Sequence, residues 1–438
     1  MTESCKPLQT RSRPSSSKPF WSNALNVLKK TKQAAHKRWK DAGKPNDASN
    51  VLLVNYQDAR KAFRKEFRKN KAEYGSVKDE EINNCSELDE KRFWYLLKGN
   101  RNKLLPDALR KSDGVITNDP VEIRKIWFDH YKSLGQKKIG VDSDCDQIDD
   151  VRYTLSNLVD QDIDAECLKS PITFNEVSQV CKKSLKKGKS RDHYKLQNEH
   201  FIYGGDKLYH ILTNVFNDII ELEYYPKMFL ESFIIPVYKG GNKDRLDVTS
   251  YRAITIQCIL CKIFETIIYN RSEEYIKAKC NISYLQGACK KGLSSVTTSL
   301  LLREAICHNV ERGNTVYNTF FDAKCAFDTV WIEGLIFKLY KKGVNGKLVR
   351  LIYKSFKNCK SYVMLEEPTE WFECKVGIRQ GGILSMLLYI SFNNDLLIAC
   401  KNAQLGCKVS DIDCVAPSFA DDVSTTALHS NCMQSIIN

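Results

Sequence analysis

The sequence predicts an α+β fold, and three observations support that prediction. A long basic stretch from Phe20 to about Tyr74 carries apolar residues at helical spacing. From Ile172 onward, helical and strand-like runs alternate irregularly. Two strand-like runs flank the pair Asp421 and Asp422, which is typical of an antiparallel hairpin.

Length and composition define the class of protein. With 438 residues, 42% hydrophobic and 27% charged, the chain can bury a sizeable core and form two or three domains. The formal net charge of +14 favours a polyanionic partner such as nucleic acid, and an anionic membrane surface would also fit. No apolar run reaches the roughly 18 residues that span a bilayer, so no membrane-spanning segment is expected.

The N-terminal residues contain no apolar stretch of the kind found in secretory signals. An intracellular location, in the nucleus or the cytoplasm, is therefore expected. In such a reducing setting the 17 cysteines are predicted to be small buried hydrophobes rather than disulfide partners. Cys258 and Cys261 have metal-ligand spacing but no second pair, which favours packing of an apolar helix.

The basic N-terminal stretch predicts two helices separated by the turn Gly43–Asp47. Four apolar residues form one stripe of the second helix: Tyr56, Ala59, Phe63 and Phe67. A run of basic residues on a helix is usually a solvated face, but a whole stretch of one sign also suits phosphate contacts. The candidate nucleic-acid contacts are Lys37, Arg38, Arg60, Lys61, Arg64 and Lys65.

Two further helices are predicted over residues 88–98 and 120–134. The acidic segment that follows has no hydrophobic period, so residues 141–165 are expected to form an exposed linker. Calcium binding is a less favoured alternative, because the segment lacks the glycine and terminal glutamate of an EF-hand loop.

In the second half of the chain, residues 208–222 predict a helix, 233–237 a strand and 254–271 a long apolar helix. The last predicted unit begins with a strand over 316–321 and a helix over 328–342. Gly343 supplies the C-terminal stop of that helix.

Three aspartates are candidates for chemistry. Asp322 ends a strand-like run, while Asp421 and Asp422 lie at the expected hairpin tip. Adjacent carboxylates repel each other unless a cation neutralises them, although a lone Asp-Asp pair is more often an exposed turn. Asp328 is left out of the site, because its position at the expected helix start predicts an N-cap role.

The segments Phe321–Asp328, Arg379–Ser385 and Phe419–Asp422 occur in the order of the A, B and C motifs of reverse transcriptases, which they resemble. The resemblance is to the jockey-like branch of the non-LTR (LINE-type) retrotransposons. It covers most of residues 18 to 428. Pro236–Lys243 resembles the fingers segment of this family, and Gln286–Ser295 resembles a conserved-pattern block that follows it.

The resemblance implies that Asp322, Asp421 and Asp422 bind two Mg²⁺ ions, or Mn²⁺, for nucleotidyl transfer. It places Phe327 at the steric gate against a ribose 2′ hydroxyl, with core packing as the alternative. Further implied nucleotide-binding residues are Gln380 and Gly381 at the nascent base pair, and Lys239 and Arg252 at the triphosphate. For Lys239 and Arg252 a solvated role is the alternative.

The implied fold is that of right-hand polymerase fingers and a partial palm, built on an antiparallel sheet with helices and preceded by a basic helical extension. The expected boundaries are a disordered N-terminus (1–17), the basic helical extension (18–140), the acidic linker (141–165), the fingers (166–314) and the partial palm (315–438). Only 16 residues follow Asp422, so a thumb is not expected within this chain, nor is an endonuclease.

Several positions depart from the family pattern, including Ala253, Met386 and the segment 189–192. Pro417 removes a donor from the strand expected before Asp421.

The expected function is RNA-directed DNA polymerisation with an RNA template, a DNA primer and deoxynucleoside triphosphates (dNTPs) as partners. Processive synthesis by this chain alone is expected to be weak or absent. Group II intron maturases and telomerase share the same palm, but the N-terminal segment argues against them. The alternative from another class is a catalytically inactive, nucleic-acid-binding remnant of such an element.

Overall fold

The computed structural model describes residues 20–47, 49–86, 105–136, 145–156 and 166–438. The chain divides into two compact units near residue 103. The helix predicted over residues 88–98 lies outside the described residues, as do residues 1–17 and part of the acidic segment.

The first unit is a helical hairpin of α1 (Asn23–Asp41) and α2 (Val51–Ser86), as the sequence predicts. Ser22 caps α1 by accepting a hydrogen bond from the N–H of Leu25, which is fully buried between the helices. Trp39 of α1 stacks on Tyr56 of α2 with ring centroids 5.4 Å apart. The predicted apolar stripe of α2 is partly buried along its length.

The second unit combines helices and strands, which confirms the α+β prediction. Its helices are α3 (Pro120–Gly135), α4 (Cys145–Ser156), α5 (Phe174–Gln179), α6 (Asn198–Ile202), α7 (Gly205–Glu221), α8 (Lys227–Leu230), α9 (Ile259–Cys280), α10 (Ser295–Val310), α11 (Ile332–Lys341), α12 (Gly346–Phe356), α13 (Ser385–Ala403) and α14 (Ser430–Ile437). Its strands are β1 (Leu109–Arg110), β2 (Ile116–Thr117), β3 (Glu231–Tyr238), β4 (Tyr251–Gln257), β5 (Tyr317–Asp322), β6 (Cys359–Val363), β7 (Phe372–Cys374), β8 (Lys408–Val409), β9 (Ile412–Asp413), β10 (Ser418–Phe419) and β11 (Asp422–Ala427).

Two sheets position the candidate site. One is antiparallel, in the order β10-β11-β5. The other has the order β4-β3-β6-β7, with β3 and β6 parallel and the remaining pairs antiparallel. Strands β6 and β7, for which the sequence gives no strand prediction, lie within the range expected for the palm but join the sheet of β3 and β4. The sheet boundaries therefore do not follow the predicted division at residue 315.

The helix α3 packs on the β4-β3-β6-β7 sheet and starts from an Asp119 cap followed by Pro120. Its Trp127 is fully buried against Tyr251 of β4, with ring centroids 5.0 Å apart. Residues 105–136 were expected to belong to the basic extension. They instead contribute an apolar core to the second unit, because the aromatic face of α3 needs the sheet to cover it.

The expected acidic linker contains the helix α4, which packs against α11. Ile148, Val151 and Leu155 recur at helical spacing, and Val151 is buried. The sequence does not reveal this short apolar period clearly, because the surrounding aspartates dominate the composition.

The apolar run from Ile254 was expected to form one helix, and this prediction is wrong for its first residues. Residues 254–257 complete β4, in which Ile254 pairs with Ile235 of β3. The helix α9 begins only at Ile259. A short apolar run with β-branched residues suits a buried strand as well as a helix, and here the available partner strand decides.

The helix expected from Asp328 begins four residues later, at Ile332, and ends before Gly343 as predicted. Residues 324–329 form turns instead. Their backbone is held by another segment, since the carbonyl of Phe327 accepts a hydrogen bond from the N–H of Ile378 at 2.8 Å. No local sequence pattern predicts this long-range contact.

Buried apolar side chains fill the interior of the second unit around α9, α11, α12 and α13. Many cysteines contribute to this core, including Cys258 and Cys261 at the start of α9, in agreement with the packing prediction. In the part of the chain that the structure describes, no helix combines the length and apolar character needed to cross a bilayer.

Candidate active site

Asp421 lies at the tip of the predicted hairpin. Ser418 pairs with Val423 and Phe419 with Asp422, so Ala420 and Asp421 form a two-residue turn. Ala420 adopts a left-handed conformation with φ of 58°. Pro417 precedes the strand rather than interrupting it, and its carbonyl accepts a hydrogen bond from the N–H of Ser424 at 3.2 Å.

The two strands that carry the aspartates are neighbours. Asp322 is the last residue of β5 and lies directly opposite Asp422, the first residue of β11. Directly opposite residues in antiparallel strands point to the same face, with Cβ atoms about 4.5 to 5.5 Å apart. The structure thus brings together carboxylates that are 100 positions apart in the chain.

The electrostatics of this cluster follow from its charges. Partial burial and the neighbouring charges of Asp421 and Asp322 raise the pKa of Asp422. Burial and the nearby Asp421 charge raise the pKa of Tyr389 to about 12. Among the described residues, no three His, Cys, Asp or Glu side chains are arranged to hold a metal ion as they stand.

Gln286 holds the turn that presents Asp421. Its amide accepts a hydrogen bond from the N–H of Ala420 at 2.8 Å and donates one to the carbonyl of Ala420 at 3.2 Å. The side chain is buried at 2% exposure. Gln286 lies within the segment that resembles the family, but the sequence alone assigns no role to it. A glutamine within a run of small and apolar residues is the sequence feature that could have identified this position.

Phe327 lies between the carboxylates and the core. Its ring stacks on Tyr389, with centroids 4.7 Å apart and planes 18° apart. The charge of Asp421, together with the larger effect of burial, raises the pKa of Tyr389. Phe327 is partly buried and packs against the main core, so one face of this residue serves packing.

Gln380 is held from two directions. Its carbonyl accepts a hydrogen bond from the N–H of Thr255 on β4 at 2.9 Å. Its side-chain amide donates a hydrogen bond to the carboxylate of Asp328 at 2.8 Å. The N-cap prediction for Asp328 is therefore wrong, since Trp331 occupies the cap position of α11. Asp328 is a partly buried hydrogen-bond acceptor beside the candidate nucleotide site.

Gly381 follows in a conformation that favours glycine, with φ of 122°. A Cβ atom at this position would lie 2.9 Å from the carbonyl oxygen of Thr255. The backbone of the segment after Gln380 therefore approaches β4 more closely than a side chain would allow.

Arg379 anchors the same segment in the core. Its guanidinium lies 3.4 Å from the carboxylate of Glu265 on α9 and donates a hydrogen bond to the carbonyl of Ser355 at 2.7 Å. Both charged side chains are at most 10% exposed. This ion pair is not predictable from the sequence, because its partners are 114 residues apart.

The two basic candidates for triphosphate binding lie on or beside the β3-β4 pair. The ammonium group of Lys239 donates a hydrogen bond to the carbonyl of Thr249 at 2.6 Å, and its charge lowers the pKa of Asp328 against the larger effect of burial. Arg252 is exposed on β4, opposite Val237 of β3. Lys239 thus lies near Asp328 and Gln380.

The candidate nucleic-acid contacts belong to the first unit. All six of these side chains are exposed on the helical hairpin: Lys37, Arg38, Arg60, Lys61, Arg64 and Lys65. The apolar stripe faces the other helix, so these charged groups are exposed to solvent, where Lys61 also lies 4.0 Å from the carboxylate of Asp58.

Comparison with known proteins shows which proteins the chain resembles. Residues 239–438 match the family model "Reverse transcriptase (RNA-dependent DNA polymerase)". The chain is 30% identical over 264 residues to the "RNA-directed DNA polymerase from mobile element jockey" of Drosophila funebris, covering 58% of this chain and 27% of that protein.

Two other relatives come from Drosophila melanogaster. Identity to its "RNA-directed DNA polymerase from mobile element jockey" is 28%, covering 58% of this chain and 27% of the relative. Identity to the "Probable RNA-directed DNA polymerase from transposon BS" is 26%, covering 50% and 24%. The chain thus spans about a quarter of the length of the curated relatives it matches. The chain is therefore similar to reverse transcriptases, including proteins named for the mobile element jockey and for transposon BS.

Proposed function

We propose that this chain catalyses RNA-directed DNA synthesis, in which the 3′ hydroxyl of a DNA primer attacks a dNTP paired to an RNA template. The observation that carries the proposal is the opposition of Asp322 and Asp422 across two strands, with Asp421 at the adjoining turn. Phosphoryl transfer depends mainly on positioning and on neutralising charge, and a cluster of carboxylates at a rigid sheet edge suits both tasks.

The donor chemistry of the three aspartates fits Mg²⁺, which prefers carboxylate oxygens, and Mn²⁺ accepts the same ligands. The raised pKa of Asp422 reflects partial burial and, after it, repulsion from the neighbouring carboxylates, which a divalent cation relieves. Asp322, Asp421 and Asp422 would hold two such ions. Bound ions would neutralise the triphosphate and activate the primer hydroxyl.

Five further residues are proposed to bind the nucleotide. Phe327 would exclude a ribose 2′ hydroxyl, and its stacking on Tyr389 supports that role by fixing the ring plane. Gln380 and Gly381 would contact the nascent base pair. Lys239 and Arg252 would bind the triphosphate, as a point charge and a planar fork of donors respectively.

The proposed division of the second unit is fingers over 166–314 and a partial palm over 315–438. The three-stranded antiparallel sheet with the aspartates at one end supports the palm assignment. The exposed basic hairpin α1-α2 would bind the RNA template or the primer duplex by charge.

A specific observation favours one alternative, a catalytically inactive nucleic-acid-binding remnant. The basic hairpin is a compact unit of its own, so its charges do not depend on an active polymerase. In that case RNA binding would persist without any nucleotide incorporation.

Primer extension separates the two functions. The assay uses a poly-adenylate template, an oligo-thymidylate primer, Mg²⁺ and thymidine triphosphate, with RNA affinity measured on the same preparations. Incorporation that disappears in Asp421→Asn, while RNA affinity stays unchanged, supports the polymerase. Salt-sensitive RNA binding with no incorporation by the unmodified protein supports the remnant.

A further inference from the structure

Asp328 controls how the side chain of Gln380 is presented. An ionised carboxylate has no proton to donate, so it can only accept hydrogen bonds. The Nε2 atom of Gln380 donates to Asp328 at 2.8 Å, which turns the amide NH₂ toward the carboxylate. The amide oxygen of Gln380 is thereby left for another partner.

The backbones around these two residues are joined. The N–H of Ile378 donates to the carbonyl of Phe327 at 2.8 Å, and the N–H of Gly377 donates to the carbonyl of Val330 at 2.9 Å. A Cβ atom on Gly377 would lie only 2.7 Å from the carbonyl oxygen of Asp328. The segment that carries Gln380 is therefore docked on the segment that carries Asp328, and the side-chain bond spans a fixed gap.

The carboxylate occupies an unfavourable environment. Burial raises the pKa of Asp328 to about 6. Lys239 from the β3-β4 connection is a charged group that acts on this carboxylate, and Gln380 donates a hydrogen bond to it. The carboxylate in turn adds to the larger effect of burial in raising the pKa of Tyr131 on α3 and of Cys374 on β7. Lys239 and Gln380 favour the ionised form, and neither fully offsets burial.

Tyr131 contributes a second buried polar group to this region. Its hydroxyl is buried at 3% exposure and has no hydrogen-bond partner among the described residues. Tyr131, Asp328 and Gln380 line one cavity of about 60 Å³. An apolar residue in place of Asp328 would suit this lining, so packing alone does not account for an aspartate.

We propose that Asp328 is a positioning residue, which fixes the amide orientation of Gln380 and thereby sets the affinity and base-pair selectivity for the incoming nucleotide. This inference rests on the proposed polymerase function and on the proposed contact of Gln380 with the nascent base pair. Asp328 itself acts through Gln380 and does not touch the nucleotide.

Single-nucleotide incorporation kinetics on the full chain test this inference. The variants are Asp328→Asn, Gln380→Ala and the double variant. Asp328→Asn keeps the size of the side chain but adds a hydrogen-bond donor. The amide of Gln380 can then rotate so that its oxygen, and not its NH₂ group, faces residue 328. We expect the KM for the correct dNTP to rise about tenfold, with kcat changed less than about twofold, since one charge-assisted hydrogen bond is affected.

The double variant distinguishes positioning from a structural role. If Asp328 acts through Gln380, adding Asp328→Asn to Gln380→Ala should change the KM by less than about twofold. Asp395→Asn serves as the matched control, because this aspartate pairs with Lys338 and Lys342 at 3.1 Å on other elements. It should leave the KM for the dNTP unchanged.

The pH dependence provides a readout that does not need the Asp328→Asn protein to fold. The KM of the unmodified chain should rise as the pH falls through about 6, and this inflection should be absent in Gln380→Ala. A tenfold KM effect that persists undiminished in the Gln380→Ala background, or a KM unchanged by Asp328→Asn, overturns the inference. An unmodified protein without incorporation overturns both this inference and the proposed function, whereas active protein with unchanged Asp328→Asn kinetics overturns the inference alone.

Discussion

Asp322 and Asp422 lie directly opposite each other at the ends of two adjacent antiparallel strands. Five further residue pairs of β5 and β11, from Val423 with Phe321 to Ala427 with Tyr317, keep the same register and fix this opposition. The carboxylates therefore share one face of a short, rigid ladder. Under the proposed function, this opposition would let the segments that resemble the A and C motifs, far apart in the chain, serve a single reaction centre.

Gln286 should be required for the shape of the Asp421 turn. Gln286→Leu removes both hydrogen bonds to Ala420 and leaves its buried backbone groups unpaired, which we expect to lower the free energy of unfolding by about 2 to 4 kcal/mol. Incorporation should fall more than tenfold as the turn relaxes. Urea denaturation and primer extension measure the two effects.

The matched control is Gln434→Ala, which changes an exposed glutamine on α14 and should be neutral in both assays. Equal stability of Gln286→Leu and the unmodified protein would show that the amide does not hold the turn.

Asp328 should produce a distinct pH dependence of stability. Its folded pKa of about 6 lies above the unfolded value of about 3.9, so the native state binds the proton more tightly. Its contribution to the free energy of unfolding is therefore most favourable below pH 4 and is lost as the pH rises through 6. The loss should amount to roughly 2 to 3 kcal/mol.

The difference in unfolding free energy between the unmodified chain and Asp328→Asn isolates this effect from other titrating groups. Chemical denaturation between pH 4 and 8 measures it, and Asp395→Asn should retain the slope. A pH-independent difference would contradict the raised pKa.

Breaking the ion pair between Arg379 and Glu265 should lower the stability of the protein, because the remaining charge stays buried without its opposite charge. Glu265→Leu leaves a buried guanidinium without its carboxylate, which we expect to destabilise the protein by about 3 to 5 kcal/mol. Glu274→Leu removes an ion pair of a 90% exposed glutamate and should change stability by less than about 1 kcal/mol. Thermal denaturation of both variants gives the comparison, and similar melting temperatures would show that the Arg379 environment is not as enclosed as described.

Gly381 should not tolerate a side chain. Gly381→Ala places a Cβ atom 2.9 Å from the carbonyl oxygen of Thr255 at a φ of 122°, so the segment must shift and the bond between Thr255 and Gln380 should weaken. Nucleotide incorporation should fall more than tenfold. Gly114→Ala has a similar left-handed φ of 86° but meets no atom within 4 Å, so it should cost about 1 kcal/mol of stability and leave incorporation unchanged.

The basic hairpin should bind nucleic acid through charge. Replacing Arg60, Lys61, Arg64 and Lys65 by glutamine should weaken RNA binding and reduce the slope of log affinity against log salt, by up to about 0.7 per lost contact with a single strand. Exchanging lysine for arginine, and the reverse, at the same four positions keeps the charge and should preserve the slope. Fluorescence anisotropy at several salt concentrations measures both, and an unchanged slope in the glutamine variant would contradict the assignment.

Local sequence patterns predicted those features that depend on local periodicity. The α1-α2 hairpin, β3, the strand that ends at Asp322 and the turn at Asp421 follow from apolar spacing and turn residues. The patterns were insufficient where a remote partner decides. Asp328 has the local signature of an N-cap, but the docking of Ile378 on Phe327 delays the helix and frees Asp328 to bind Gln380.

The same reasoning applies to the boundary between β4 and α9, and to Arg379. An apolar run with β-branched residues is compatible with either structure, and the ladder with β3 selects the strand. The partner of Arg379 could not be identified from spacing, because nothing local links it to Glu265. The sequence thus singles out the proposed site residues, but it does not indicate the remote residues that hold them in place.

The most direct test of the shared carboxylate centre is the rate of single-nucleotide incorporation by Asp322→Asn, measured at saturating RNA template, primer and dNTP with Mg²⁺. The change keeps the side-chain size and removes one charge from the pair with Asp422. We predict a loss of more than about a hundredfold in rate with unchanged melting temperature and RNA affinity, as expected when a transition-state interaction is removed. Incorporation by Asp322→Asn at the rate of the unmodified chain would contradict the account.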